Sequence, residues 1–263
     1  RRTSIAIYRP PLDGKIFGTF EVDVSHLLEF IEGYKKNGYR LTLTQVIAAA
    51  LGRSLSVDLP EINAYVKRGR IVPRESVDIF ISAYIKETGD MTGFVIRNID
   101  EKSLTEIAEE MDKKVEKYRA AKEQGAVKNK NMLAAIPWPF RIWVFRLIRF
   151  ITVGLGWKLR FLNVDSNSFG SAMLTNIGTH GLQFGFPALF PAANIPMVLV
   201  MGKVDKKPVA RNNKVVIRDI LPMAGTFDHR IFDGSQGGKL AKAMERYLTE
   251  PELLETTPVV DEY

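Results

Sequence analysis

The sequence predicts an α+β fold, a sandwich in which helices flank a mixed β-sheet. Alternating apolar side chains from residue 77 to 85 (Val, Ile, Ile, Ala and Ile) indicate a strand with one buried face. Apolar side chains at helical spacing between residues 103 and 122 indicate an amphipathic helix. Strands and helices alternate in no strict order, which favours an α+β architecture over a regular parallel one.

The first half of the chain contains six such elements. Thr42 and Gln45 stand three apart before an alanine-rich run, which predicts a capping box at a helix start, and Pro60 ends that run. A polar turn is expected at Thr88-Gly89-Asp90. The expected elements are strands at 18–24, 77–85 and 92–96, and helices from 26, at 43–56 and at 103–122.

The second half returns to strand patterns after an unusual apolar segment. Asn212-Asn213 indicates a turn, and Pro251 marks the end of a closing helix. The expected elements are strands at 171–176, 196–204, 214–219 and 221–227, followed by a helix at 235–248.

Residues 126–163 form the unusual segment, in which a basic stretch at 128–130 precedes a very apolar run from 140 to 162 that is interrupted by five arginines and lysines. On a helical wheel Arg141, Arg146 and Arg149 fall within an arc of ~140°. Three arginines make a membrane-spanning helix unfavourable. Two interpretations of residues 134–162 remain: a basic amphipathic helix lying on a membrane surface, or a helical insertion packed on its own protein or on a partner.

Composition narrows the classes of function. The absence of cysteine excludes disulfides, thiolate metal sites and a cysteine nucleophile. The net charge of +7 suits a phosphate-bearing ligand or a membrane surface, whereas no recognised motif supports binding to nucleic acid. The residues from Arg1 onward show no signal peptide, so a cytoplasmic location is expected, with peripheral membrane association if residues 134–162 bind lipid.

The chain has three histidines, and one of them has a context that suits catalysis. His26 begins an ordinary helix and His180 lies in a glycine-flanked turn, so both fit structural roles. His229 lies between a predicted strand and a predicted helix, four residues before Asp233 and five before Gly234. Gly234 is expected to let the chain turn sharply into the helix.

A histidine in this position suits reactions of thiols. A thiol has a pKa near 8.5, so at neutral pH a base must remove its proton before it attacks. Histidine has a suitable pKa when its ring is held in one tautomer. Asp233 is expected to supply that order, either directly or by holding an arginine or a backbone segment in place.

The residues Asp-His-Arg-Ile-Phe-Asp-Gly at 228–234 resemble the catalytic signature of the acyltransferase components of 2-oxoacid dehydrogenase complexes, which share their fold with chloramphenicol acetyltransferase. Further segments are similar in family order over about 200 residues. They include Phe-Glu-Val-Asp-Val at 20–24, Thr-Gln-Val-Ile-Ala-Ala-Ala at 44–50, Pro-Glu-Ile-Asn-Ala at 60–64, Gly-Phe-Val-Ile-Arg-Asn at 93–98, Lys-Ser-Leu-Thr-Glu-Ile at 102–107 and Met-Leu-Thr-Asn-Ile-Gly at 173–178.

The resemblance implies a chloramphenicol acetyltransferase-like sandwich that transfers acyl groups between dihydrolipoamide and coenzyme A. His229 would be the general base, Thr175 would donate to the oxyanion, and Asp233 would hold the loop; a one-residue shift would place Asn176 at the donor position instead. The resemblance also implies a homotrimer, or a cage of trimers, with each site shared between subunits. Coenzyme A would be a substrate, no metal is implied, and no coenzyme A-binding residues are assigned.

The chain departs from the family in ways that keep a second function open. It has no recognisable lipoyl or subunit-binding domain, so residues 1–263 read as one catalytic domain, with the lipoyl group supplied by another domain or protein. Residues 126–163 have no counterpart and are interpreted as an insertion. The alternative function is a catalytically silent family member that serves as a trimeric scaffold or as a core that binds a membrane or partner.

Overall fold

The computed structural model describes residues 14–85, 90–123, 137, 140–155, 157, 169–189 and 193–255. In these residues the chain forms a seven-stranded mixed sheet, a separate two-stranded hairpin and five α-helices. The strands are β1 (Lys15–Asp23), β2 (Ala64–Lys67), β3 (Arg70–Pro73), β4 (Ile79–Ile85), β5 (Asp90–Ile96), β6 (Ala172–Asn176), β7 (Met197–Met201), β8 (Asp205–Arg211) and β9 (Lys214–Asp228). The helices are α1 (Ser25–Lys36), α2 (Leu43–Arg53), α3 (Leu104–Glu123), α4 (Phe140–Arg149) and α5 (Gly234–Thr249).

The strand order of the large sheet is β1-β9-β7-β6-β4-β5, and β8 pairs with the first half of β9. The second half of β9 lies between β1 and β7, antiparallel to both. Strand β6 runs parallel to both of its neighbours, β4 and β7, which makes the sheet mixed. The predicted α+β sandwich with a mixed sheet is therefore confirmed.

The two faces of the sheet have different partners. One face carries Leu174, Leu199 and Met223 into the main apolar core, which also contains buried side chains of α2, α3 and α5. The opposite face carries Met173 and Val198 into a second, smaller cluster. Because successive side chains on a strand point to opposite faces, each residue of β6 can be assigned to one of them.

The hairpin of β8 and β9 differs from the expectation. The segments expected at 214–219 and 221–227 form one strand, β9, and the expected strand at 196–204 is shortened to β7. Strand β8 was not predicted because its sequence is polar and contains Pro208, which an edge strand tolerates. The turn predicted at Asn212-Asn213 is confirmed, and both residues have positive φ.

The helix boundaries follow the sequence signals closely. Helix α2 starts after Thr42, whose backbone N–H donates to the Gln45 side chain at 2.7 Å. The helix ends earlier than expected, because Ser54–Asp58 continue as a π-helical turn before Pro60. The unpredicted hairpin of β2 and β3 follows. The expected turn at 88–90 lies mostly outside the described residues.

Helix α4 belongs to the unusual apolar segment, and Phe150–Gly154 extend it by a π-helical turn. Among the described residues, no helix combines the length and the apolar character that crossing a bilayer requires. Much of the expected insertion at 126–163 lies outside the described part of the chain, namely residues 126–136, 138, 139, 156 and 158–163.

Candidate active site

His229 follows directly on β9, and backbone hydrogen bonds fix its position. Its N–H donates to the carbonyl oxygen of Gly14, just before β1, at 2.7 Å. The N–H of Asp228 donates to the carbonyl oxygen of Pro196, just before β7, at 2.8 Å. The N–H of Phe232 then donates back to the carbonyl oxygen of Asp228 at 3.0 Å, which closes the turn. The histidine is therefore held where β1, β7 and β9 meet at one edge of the sheet.

The imidazole ring of His229 has a defined partner. Its Nδ1 lies 3.0 Å from the carbonyl oxygen of Phe232. A carbonyl oxygen only accepts hydrogen bonds, so Nδ1 must carry the proton, and the neutral ring presents the lone pair of Nε2. Phe232 is 1% exposed and its ring stacks on that of Phe227 at 4.2 Å, so the accepting carbonyl belongs to a fixed residue.

Asp228 braces the turn through Arg230. The Nε of Arg230 donates to Asp228 Oδ1 at 2.9 Å, and the backbone N–H of Arg230 donates to the same oxygen at 3.0 Å. Burial alone would raise the pKa of the Asp228 carboxyl, but the hydrogen bonds from Arg230 outweigh it and hold that pKa below its ordinary value. This pair was not singled out in the sequence, although both residues lie within the motif.

Asp233 holds the backbone at the start of α5. Its Oδ1 accepts hydrogen bonds from the backbone N–H groups of Ser235 at 2.7 Å and Gln236 at 3.2 Å. In return, Gln236 Oε1 accepts from the N–H of Asp233 at 2.8 Å, completing a capping box. Of the two expected modes of action, direct contact with the ring or support of the backbone, the described hydrogen bonds correspond to the second.

Gly234 does not have the role expected from the sequence. It is the first residue of α5, its φ lies outside the positive range, and a Cβ built there would meet nothing within 4 Å apart from its own neighbours in the chain and the helix backbone. The helix cap at Asp233, rather than glycine flexibility, directs the chain into α5.

Thr175 lies on β6 and is 9% exposed. It pairs in register with Ser82 of β4 and Val200 of β7. By strand alternation it shares the sheet face of Met173, away from the main core. The next residue, Asn176, points to the helical face, where its Nδ2 donates to Thr44 Oγ1 of α2 at 3.2 Å. The two candidate donors therefore serve different sides of the sheet.

His229 and Thr175 are far apart within one chain. Thr175 pairs with Val200, which pairs with Ala224, five residues before His229. At ~3.3 Å per residue and ~4.8 Å per strand, the two Cα atoms are separated by about 16 Å along the strands and about 10 Å across them. A thioester carbonyl cannot reach both side chains of the same chain at once.

The described residues offer no candidate metal site. No cluster of three or more histidine, cysteine or carboxylate side chains in them is arranged to hold a metal ion. His26, whose Nε2 lies 2.8 Å from Glu252, and His180, in the exposed turn Gly178–His180, lie outside the edge where His229 is held.

Comparison with known proteins adds the family context. The family model for the catalytic domain of 2-oxoacid dehydrogenases acyltransferase matches residues 15–126 and 160–256. The match covers most of the chain and includes Thr175, His229 and Asp233, while residues 127–159 lie outside it.

Curated relatives carry related descriptions. The dihydrolipoyllysine-residue acetyltransferase component of the Acholeplasma laidlawii pyruvate dehydrogenase complex is 36% identical over 97 residues, which are 36% of this chain and 17% of that protein. The corresponding Bacillus subtilis component is 24% identical over 242 residues, 89% of this chain and 44% of that protein. The Saccharomyces cerevisiae succinyltransferase component of the 2-oxoglutarate dehydrogenase complex is 24% identical over 238 residues, which are 88% of this chain and 42% of that protein. The chain thus spans less than half the length of these relatives.

Solved structures share the fold. The cubic core of a pyruvate dehydrogenase multienzyme complex superposes with a TM-score of 0.66 at 18% identity, covering 92% of this chain and 84% of that one. Dihydrolipoamide acetyltransferase of Azotobacter vinelandii, solved to investigate the catalytic roles of a serine, a histidine and an asparagine, gives 0.66 at 19% identity over the same shares. Chloramphenicol acetyltransferase superposes with a TM-score of 0.53 at 16% identity, covering 90% of this chain and 89% of that one.

Proposed function

Because the chain belongs to the acyltransferase (catalytic domain) family of the 2-oxoacid dehydrogenases, we propose that it transfers an acyl group between the thiols of dihydrolipoamide and coenzyme A. The observation that carries this proposal is the hydrogen bond from His229 Nδ1 to the Phe232 carbonyl, which leaves Nε2 available as a base. Relatives described as acetyltransferases and as a succinyltransferase match this chain alike, so the proposal leaves the acyl group open.

The proposed reaction uses the imidazole of His229 and the hydroxyl of Thr175. His229 Nε2 takes the proton of the attacking thiol, and the thiolate sulfur forms a bond to the thioester carbonyl carbon. The resulting oxyanion accepts a hydrogen bond from the Thr175 hydroxyl of a neighbouring subunit. When the oxyanion collapses, the bond to the original sulfur breaks, and the departing thiolate recovers the proton from His229. No net charge or redox change occurs.

The separation of His229 from Thr175 supports a site shared between chains. His229 of one copy must lie close to Thr175 of a neighbouring copy. A cyclic homotrimer satisfies this for every copy. A cage of such trimers is the larger form of the same assembly, and one structural neighbour is the cubic core of a complex. The lipoyl group would come from another domain or protein.

Asp233 is proposed as a positioning residue rather than as a participant in proton transfer. In the Azotobacter vinelandii protein, the histidine and asparagine whose catalytic roles were investigated stand four positions apart, the spacing of His229 and Asp233 here. Either an aspartate or an asparagine side chain can accept from the N–H groups at a helix start. Residues 1–263 are treated as one catalytic domain with an insertion at about 126–163, and a cytoplasmic location remains a prediction.

The decisive experiment compares His229→Ala with His26→Ala as a matched control. Transfer from acetyl- or succinyl-coenzyme A to dihydrolipoamide is expected to fall by roughly 10²–10⁴-fold for His229→Ala and to stay unchanged for His26→Ala. Light scattering should show the same assembly for both variants. Equal activity of His229→Ala and the wild type would refute the assignment. A wild-type protein that assembles but transfers neither acyl group would support the silent scaffold instead.

A further inference from the structure

Helix α4 displays an apolar stripe to solvent. Phe140, Trp143 and Leu147 are 65%, 65% and 58% exposed, and they fall within an arc of ~60° on the helical wheel. Phe150, at 60% exposure, continues the stripe into the following turn. Large side chains exposed together in this way mark a surface that contacts something apolar.

The stripe faces outward because the other side of the segment is attached to the body of the protein. Val144 and Ile151 are only partly exposed, and Thr152 is 1% exposed. The Nε of Arg68, at the tip of the β2–β3 hairpin, donates to the carbonyl oxygen of Leu155 at 3.3 Å. The segment is thus held on the hairpin, while Phe140, Trp143 and Leu147 remain uncovered.

The sequence segment that contains α4 carries only positive charge. Residues 124–164 contain seven lysines and arginines and no aspartate or glutamate. The whole chain has 37 basic and 30 acidic residues, so this one segment accounts for the net charge of +7 and the remainder is balanced. Beside the stripe, the Arg146 guanidinium lies 5.5 Å from the centre of the Trp143 ring.

The tryptophans are equally localised. All three tryptophans of the chain, Trp138, Trp143 and Trp157, lie in this segment. Tryptophan and arginine together are characteristic of helices at the boundary between lipid headgroups and acyl chains. A second copy that packed through the same helix would bring its three arginines of α4 near those of the first copy, which disfavours that occupant.

We propose that the apolar stripe of α4, with Arg141, Arg146 and Arg149 of the same helix, docks the protein on the surface of an anionic lipid bilayer. The apolar side chains enter the headgroup boundary, and the basic residues lie against the lipid phosphates. Each buried side chain of this size contributes roughly tenfold or more to the partition coefficient, and each basic residue near the surface about fivefold. The binding should weaken with salt, because the charges are screened over about 10 Å at 0.1 M.

The test uses the whole chain with vesicles of phosphatidylcholine alone or containing one third phosphatidylglycerol. We expect sedimentation with the anionic vesicles at 50 mM salt, a blue shift of tryptophan fluorescence, and release at 0.5 M salt. Trp143→Ser/Leu147→Ser should lower the partition coefficient at least a hundredfold. Val215→Ser/Ile217→Ser, which changes two exposed residues of β9 (76% and 60%), is the matched control and should bind like the wild type.

Three results would overturn the proposal. One is the absence of sedimentation with anionic vesicles. A second is an equal loss of binding in the Val215/Ile217 control. A third is a change in assembly mass for Trp143→Ser/Leu147→Ser by light scattering, which would identify the stripe as a contact between copies. Acyl transfer should be retained in both double variants, because neither pair contacts His229 or Thr175, and this assay reports on folding separately from membrane binding.

Discussion

The Nδ1 atom of His229 and the carbonyl oxygen of Phe232 lie 3.0 Å apart, and this contact, rather than a carboxylate, orients the imidazole. Asp233 supports it one step away by capping α5. The proposed base is therefore oriented by main-chain atoms. Mutating a residue that caps α5 should affect stability as well as activity, whereas mutating His229 should affect activity alone.

Replacing Asp233 separates support of the backbone from direct action on the ring. Asp233→Ala removes the acceptor for two N–H groups and should lower the free energy of unfolding by about 1 kcal/mol and reduce kcat. Asp233→Asn keeps an acceptor oxygen and should retain most stability and activity. Chemical denaturation and transfer kinetics on the two variants check this. If Asp233→Asn is as inactive as a His229 variant, the carboxylate charge itself takes part in the reaction.

Mixing two inactive variants tests whether sites are shared between chains. His229→Ala lacks the base and Thr175→Ala lacks the hydroxyl, but a contact between one chain of each kind pairs a wild-type histidine with a wild-type threonine. After dissociation and reassembly at equal amounts, about a quarter of the sites should be complete. Specific activity of the mixture should therefore approach a quarter of the wild-type value. Activity no higher than that of either variant alone would place both residues in one chain's site.

The hydroxyl of Thr175 is expected to act on the transition state. Thr175→Ala should lower kcat by ~10²–10³-fold with little change in KM, whereas Thr175→Ser should preserve most of the activity. Asn176→Ala is the control, because its side chain bonds Thr44 on the other sheet face. Steady-state kinetics on the three variants decide between the adjacent residues. A larger kcat loss for Asn176→Ala would move the donor role to Asn176.

The pair of Asp228 and Arg230 predicts a pH-dependent contribution to stability. The pKa of folded Asp228 lies below its ordinary value of about 4, so its contribution is complete above pH 4 and is lost as pH falls through the lowered value. Asp228→Asn should cost about 1 kcal/mol at pH 7, a modest amount because Arg230 is exposed and the pair is screened.

Unfolding free energies measured from pH 7 down to pH 2 give the check on this pair. The difference between wild type and Asp228→Asn should shrink below pH 4. A difference that stays constant to pH 2 would show that the carboxylate charge is not its source.

Periodicity and caps made much of this architecture predictable. Regular apolar spacing predicts strand β4 and helices α3 and α5, and a capping signal predicts the start of α2. Strand β8 could not be predicted because its residues are selected for an exposed edge, where polar side chains and Pro208 are acceptable.

The sequence predicts which side chains belong to the candidate site, but not the main-chain contacts or the distances between those side chains. His229, Asp233 and Thr175 stand in recognisable segments, but the acceptor that orients His229 is a main-chain carbonyl, which every residue possesses. The pairing of Asp228 with Arg230 has a sequence signal, because opposite charges stand two residues apart at a strand end. The distance between His229 and Thr175 depends on strand order, and local patterns do not contain that information.

The distance between His229 and Thr175 also makes the proposed activity depend on dilution. A closed ring of chains matches every base with a hydroxyl, an open pair leaves one of each unmatched, and a lone chain has no complete site. Specific activity should therefore fall steeply once the protein concentration drops below the dissociation range of the assembly. An excess of added His229→Ala chains should restore activity to a dilute wild-type sample, because each of them supplies a Thr175 hydroxyl to a wild-type histidine.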